Sequence, residues 1–228
     1  MVYNDSTMEA RFTHKINHGN NVWSFSFAPA ESLIWIAGQS VRLEIAGPYG
    51  PLEHRFSIAS PPSSGEVTIT TRLSGSDYKD SLASLQPGAI ADLHGLEGGF
   101  VWQKSDLPHI FVAAGVGITP FYAIIAERIA QGKDVPALLL CSSRDEPMIY
   151  KRELEVLSRS DTELHLHFFK TRRTAAHILA FPNAHDRLIY ISGPSKMVDA
   201  LGTDLIAAGI TPDHILRDQF TGRLNEDG

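Results

Sequence analysis

At 228 residues, with 43% hydrophobic and 20% charged side chains, the chain has ordinary globular composition and the length for two small domains. A formal net charge of -6 disfavours nucleic acid as a general partner. The lone Cys141 excludes an internal disulfide and a four-cysteine iron–sulfur site within this chain.

The first ~100 residues read as all-β by periodicity. Ala10 to Ile16 alternates loosely and His18-Gly-Asn-Asn21 is a turn cluster. Val22 to Phe27 sets Val22, Ser24 and Ser26 on one face and Trp23, Phe25 and Phe27 on the other. Further strands are expected over Ser40–Ala46, Arg55–Ala59, Glu66–Leu73 and Ala89–His94, with a short helix over Asp77–Leu85. Six short antiparallel strands with one helix predict a small barrel, over residues 1–105.

From about Asp106 the pattern changes to alternating strand and helix. Strands are expected at Ile110–Ala114, Ala137–Ser142, Glu163–Phe169, Leu188–Ser192 and His214–Gln219. Helices are expected at Thr119–Gln131, Tyr150–Ser158, Thr174–Ala180 and Ser195–Ala208. This predicts a second domain, 106–228, with a five-stranded parallel sheet flanked by helices: a nucleotide-binding α/β fold. In such sheets ligands sit beyond the carboxyl ends of the strands. Three of those ends carry small or polar residues: Gly115 to Pro120, Ser142-Ser-Arg144 and Ser192-Gly-Pro194.

Ala114-Gly-Val-Gly-Ile-Thr-Pro120 is the most informative of them. Gly115 and Gly117 let the backbone turn and approach a ligand closely. Thr119 is placed to cap the helix and Pro120 to open its first turn. A helix N-terminus behind a glycine turn suits a pyrophosphate. The spacing Gly-x-Gly-x-x-Pro half matches the dinucleotide fingerprint. The ten histidines form no His-Glu-x-x-His pattern and read as surface or structural groups, so no metal site is expected. No run approaches the ~20 apolar residues of a membrane helix. With Asp5 and Glu9 near the start there is no signal-peptide pattern, and a cytoplasmic location is expected.

The order of these features resembles the ferredoxin–NADP reductase family, including its stand-alone flavin reductases, over nearly the whole chain. Ala37-Gly-Gln-Ser-Val41 is similar to the Pro-Gly-Gln-x-Val that opens a barrel strand. His54-Arg-Phe-Ser57 resembles the family's Arg-x-Tyr-Ser flavin motif. The resemblance implies that His54 contacts the flavin, that Phe56 packs on the isoalloxazine, and that Ser57 bonds near N5. Arg55, one place on, faces the other way on a strand and does not simply substitute for the family's arginine. Thr70-Thr71-Arg72 and Ser76-Asp-Tyr-Lys79-Asp-Ser81-Leu resemble the strand and helix that hold the flavin diphosphate. There Ser76 can cap the helix, and Arg72 and Lys79 can add charge-assisted bonds. Glu97-Gly-Gly-Phe100 resembles the loop that ends the barrel.

In the second domain, Gly115, Gly117, Thr119 and Pro120 resemble the nicotinamide loop. Ser192-Gly193-Pro194, continuing to Met197, resembles Cys-Gly-Pro-x-x-Met, with Ser192 in place of the cysteine near the nicotinamide and Met197 as packing. Ser143 and Arg144 lie where the adenine ribose is expected, beside Asp145 and Glu146. Asp218-Gln-Phe-Thr-Gly222 resembles the closing Glu-x-Phe-x-Gly-Tyr, with Phe220 matched and Arg223 in the tyrosine's place.

The resemblance thus implies a flavin-dependent NAD(P)H oxidoreductase with Ser57 and Ser192 at the reacting atoms. FAD is expected over FMN, as in most stand-alone members, and NADPH or NADH as the hydride donor. The electron acceptor is expected to be separate: a ferredoxin-like protein, an oxygenase component or a free flavin. Two alternatives stay open, a flavin-free NAD(P) dehydrogenase and a non-catalytic nucleotide-binding subunit.

Overall fold

The computed structural model describes residues 7–144 and 148–220. The first half forms β1 (Met8–Asn17), β2 (Val22–Pro29), β3 (Ser40–Gly47), β4 (Gly50–Ser57) and β5 (Val67–Arg72), then helix α1 (Asp77–Ser84) and β6 (Ile90–Glu97). These strands pair antiparallel in the order β4-β3-β6-β1-β2-β5. A single bridge between Ile58 and Ile69 joins the two edge strands and curls the sheet into an open barrel. Phe25, Phe27, Val41, Leu43, Ile45, Val67 and Ile69 fill its interior, as the period-two pattern requires. The β1–β2 turn works because Asn20 and Asn21 both adopt positive φ, at 50° and 58°.

The second half forms β7 (His109–Ala114), α2 (Thr119–Ala130), β8 (Ala137–Ser142), α3 (Lys151–Leu157), β9 (Leu164–Phe169), α4 (Ala175–Leu179), β10 (Ile189–Pro194), α5 (Ser195–Ala207) and β11 (Ile215–Phe220). All five strands are parallel, in the order β11-β10-β7-β8-β9. β7 and β8 are buried along their whole length, which explains their unbroken apolar runs. Strand order reverses between β7 and β10, and that reversal opens a crevice at their carboxyl ends.

The two sheets share one core. Val22, Ala37, Ala59 and Phe100 from the first half pack with Phe121, Ile124 and Ile125 of α2. This is why both faces of β2 are buried. Phe25 and Phe27 point into the barrel, while Val22 and Ser24 face the second sheet's helices. The connecting segment is stitched down as well. The Tyr190 hydroxyl donates to Val101 O at 3.0 Å and accepts from Gln103 N–H at 3.0 Å. The His109 ring lies 2.9 Å from Gln103 O through Nε2, and burial pulls its pKa down to about 4.

Several boundaries differ from the sequence expectation: β4 runs over Gly50–Ser57 where Arg55–Ala59 is expected, and β6 extends to Glu97. α3 starts at Lys151, because Tyr150 has φ 57° and lies outside the helix. Its ring turns back to the barrel, where its hydroxyl meets Thr70 Oγ1 at 2.7 Å and Ser24 Oγ at 3.2 Å. It also stacks flat on Tyr122, with ring centroids 4.2 Å apart.

Candidate functional site

The glycine turn after β7 forms a short 3₁₀ segment, Gly115–Ile118, that runs straight into α2. Ile118 is already helical, so Thr119 is the first residue of the helix and not its cap, contrary to the sequence expectation. Pro120 occupies the first turn as expected, and both residues are buried. Gly117 is required by packing: a Cβ there would stand 2.3 Å from Ser192 O. The turn after β7 and the turn after β10 therefore touch backbone to backbone. Gly193 follows in the same place with φ 152°, packed over Met197, which lies in the core.

At the end of β8, the Ser142 hydroxyl is buried with no hydrogen-bond partner. Ser143 is buried and its N–H donates to Phe169 O at 2.9 Å. Arg144 is exposed; its neighbours Asp145 and Glu146 lie outside the described residues. Pro194 is exposed at the start of α5. Gly222 and Arg223 also lie outside the described residues, and Phe220 ends β11 half-buried, apart from the three core clusters.

Ser57 and Ser192 meet across the two sheets. The Ser57 hydroxyl donates to Asp218 Oδ2 at 2.7 Å, and the Ser192 hydroxyl donates to the same oxygen at 3.3 Å. Ser192 and Asp218 are register partners on neighbouring parallel strands, which sets them side by side. Burial raises the Asp218 pKa, an effect opposed by the Ser57 hydrogen bond, by the Arg55 charge and by Ser192. Arg55 lies on the same side of β4 as Ser57. Its Nε donates to Ser40 Oγ at 2.8 Å and pairs with Glu97 at 3.1 Å.

His54 and Phe56 point to the other side of β4, as alternation predicts. Their rings lie 4.7 Å apart, and Tyr78 of α1 packs edge-on against His54 at 5.4 Å. Desolvation, helped by the Lys79 charge, pulls the His54 pKa down to about 4, so this ring is neutral. Its Nδ1 is buried without a partner. The Lys79 ammonium donates to Thr71 Oγ1 at 2.7 Å and lies 4.3 Å above the Phe56 ring. Ser76 caps α1, its Oγ accepting from Lys79 N–H at 3.4 Å, while Ser81 lies half-buried further along the helix. Arg72 is exposed and its guanidinium bonds the Asn20 carbonyl.

Part of the expected set gathers into two adjoining groups, while the exposed Arg72, Ser76 and Arg144 stand outside them. One is the crevice of Gly115, Gly117, Gly193 and Ser192. The other is the barrel opening with His54, Phe56, Thr71 and Lys79, and Ser57 links the two. Sequence reasoning did not single out Asp218 or Tyr150. Asp218 had a signal, since it stands at the acidic position of the closing motif. Tyr150 had none, because its role depends on a left-handed backbone and a contact with a distant strand.

Residues 111–178 match the family model of the oxidoreductase NAD-binding domain. Ferredoxin–NADP reductase B of Sorangium cellulosum is 32% identical over 145 residues, covering 62% of this chain and 59% of that protein. The ferredoxin reductase component of 3-ketosteroid-9-alpha-monooxygenase from Mycolicibacterium smegmatis is 28% identical over 197 residues, 82% of this chain and 56% of that one. The ferredoxin–NADP⁺ reductase of Plasmodium falciparum, solved with 2′P-AMP, superposes with a TM-score of 0.80 at 14% identity, over 96% of this chain and 99% of its own. The chain is similar in sequence to members of the ferredoxin–NADP reductase family. It spans less than two thirds of the length of the two curated relatives, and the likeness to the family's solved structure is one of fold.

Proposed function

We propose that the protein is a flavin-dependent NAD(P)H oxidoreductase that holds FAD at the barrel opening and passes electrons to a separate acceptor. The observation that carries this reading is the convergence of Ser57 from the barrel and Ser192 from the parallel sheet on one Asp218 oxygen. Two sites that bind different molecules need a shared point where reacting atoms meet, and this is the one place where side chains of both sheets do so in the two groups described above.

The residues present fit both molecules. At the barrel opening, an orphaned His54 nitrogen and an ammonium without a carboxylate await polar and anionic partners, and Phe56 offers an aromatic face. At the crevice, Gly117 leaves the backbone bare and Ser142 keeps an unpaired hydroxyl for a nucleotide. The redox chemistry belongs to the flavin, which takes up a hydride and releases electrons singly or in pairs. The chain's own residues bind, orient and exclude water. Ser57 and Ser192 give hydroxyls at the meeting point, and Asp218 fixes both. Gly115, Gly117, Thr119, Pro120, Gly193 and Pro194 shape the nicotinamide side, and Ser143 and Arg144 lie toward the adenosine end. Thr70, Thr71, Arg72, Ser76 and Ser81 border the flavin side, and Phe220 flanks the junction.

The relatives include a reductase component of an oxygenase system, which supports an acceptor that is a separate protein, such as an oxygenase component or a ferredoxin. Residues 1–105 then serve the flavin and 106–228 the nicotinamide nucleotide. Quenching of FAD fluorescence on addition of the protein tests the cofactor. A stoichiometric, saturable quench is expected, and a protein that leaves FAD emission unchanged contradicts the proposal.

A further inference from the structure

The barrel is open on one side. β4 and β5 are the edge strands of their sheet, joined only by the Ile58–Ile69 bridge, and past that bridge they are not hydrogen-bonded neighbours. The Lys79 side chain of α1 spans the opening. Lys79 touches β5 through Thr71 Oγ1 and β4 through the Phe56 ring, with the Tyr78 ring 5.5 Å away. It is 7% exposed, and among the described residues no carboxylate pairs with it within 4.0 Å. Burial pulls its pKa down to about 7.

A buried ammonium without a counter-ion is costly to fold around. An anion bound beside such a group would offset that cost. The motif resemblance assigns that anion as the flavin diphosphate, at the start of α1. The geometry points elsewhere. Ser76 and Asp77 at the helix start are exposed, whereas the Lys79 side chain turns inward onto the aromatic ring expected to carry the isoalloxazine.

We propose that Lys79 is the cation of the flavin ring itself, favouring its reduced, negatively charged form over the oxidised form. This rests on the flavoprotein reading above. Transfer of hydride from NAD(P)H leaves NAD(P)⁺ and a flavin ring bearing one added negative charge, with no proton drawn from the protein. A positive charge against that ring stabilises the reduced state and raises the potential of the couple.

The test uses the full chain as wild type, K79M and K79R, each loaded with FAD and separately with riboflavin, which has no phosphate. The midpoint potential and the affinity for oxidised flavin are both measured. In K79M, reduced flavin is expected to lose about ten-fold more affinity than oxidised flavin, a fall of about 30 mV for a two-electron couple. The fall is expected with both flavins, and K79R restores most of it. If instead K79M keeps the wild-type potential while FAD affinity drops and riboflavin affinity does not, Lys79 is a diphosphate ligand and the inference is overturned. If K79M does not fold, K79Q is read in the same way. Wild-type protein that binds neither flavin sinks the flavoprotein reading and this inference with it. Wild-type protein that binds flavin, beside an unshifted K79M potential, sinks this inference alone.

Discussion

Ser57 and Ser192 come from different sheets, 135 positions apart in the numbering, yet they donate to the same Asp218 oxygen. Each serine was legible from its local motif. Their acceptor was not, because only the parallel register of β10 and β11 brings Asp218 beside Ser192. Removing one hydroxyl is expected to leave flavin bound and to slow hydride transfer. For Ser57→Ala we expect a rate loss of about ten-fold or more, equivalent to ~1.4 kcal/mol of barrel-to-nicotinamide positioning. Single-turnover reduction by NAD(P)H measures it, and an unchanged rate removes Ser57 from the reaction. Asp218 makes a separate prediction about stability. Its folded pKa is raised, so the native state holds more protons than the unfolded chain between the two values. Stability from this group therefore falls as pH rises through that window. Asp218→Asn keeps the neutral form at every pH, so its stability relative to wild type is expected to grow between pH 4 and pH 7. Urea midpoints at the two pH values decide this, and a difference that shrinks with rising pH contradicts the burial argument.

At the scale of elements, the helices and strands followed their periodicity closely. β7 and β8 were readable as unbroken apolar runs, and α2 and α5 as patterned helices. The exceptions have local causes. Thr119 failed as a cap because the 3₁₀ turn before it is already helical. Lys79 reads from its motif as a charge near the helix start that can bond the flavin diphosphate, and α1, set against the barrel opening, buries it. Tyr150 is the clearest case of tertiary structure overriding pattern. It leaves α3 to place its hydroxyl between β2 and β5, while its ring stacks on Tyr122, just past the glycine turn after β7. Tyr150→Phe keeps the ring and removes the hydroxyl, and Ser24 and Thr70 keep each other at 2.7 Å. The expected cost is about 1 kcal/mol. That corresponds to a fall in Tm of roughly 2–4 °C for a chain of this size. A calorimetric scan checks it, and a fall beyond 10 °C shows that the hydroxyl anchors more than these two partners.

For the whole molecule, the order of barrel then parallel sheet was legible from the switch in period alone, and the proposed ligand edge rests on strand polarity. The face between the two sheets was not legible. Alternation sets Val22 and Ser24 on one face of a strand without saying what covers it, and in the structure α2 and Tyr150 do. That shared core holds the flavin-side residues and the nicotinamide-side residues in one arrangement, which is the physical content of the proposed hydride path. Anaerobic titration of the FAD-loaded protein with NADPH and with NADH tests this most directly. We predict that one equivalent of at least one of the two bleaches the bound flavin absorbance. Bound FAD that neither nucleotide reduces would contradict the account.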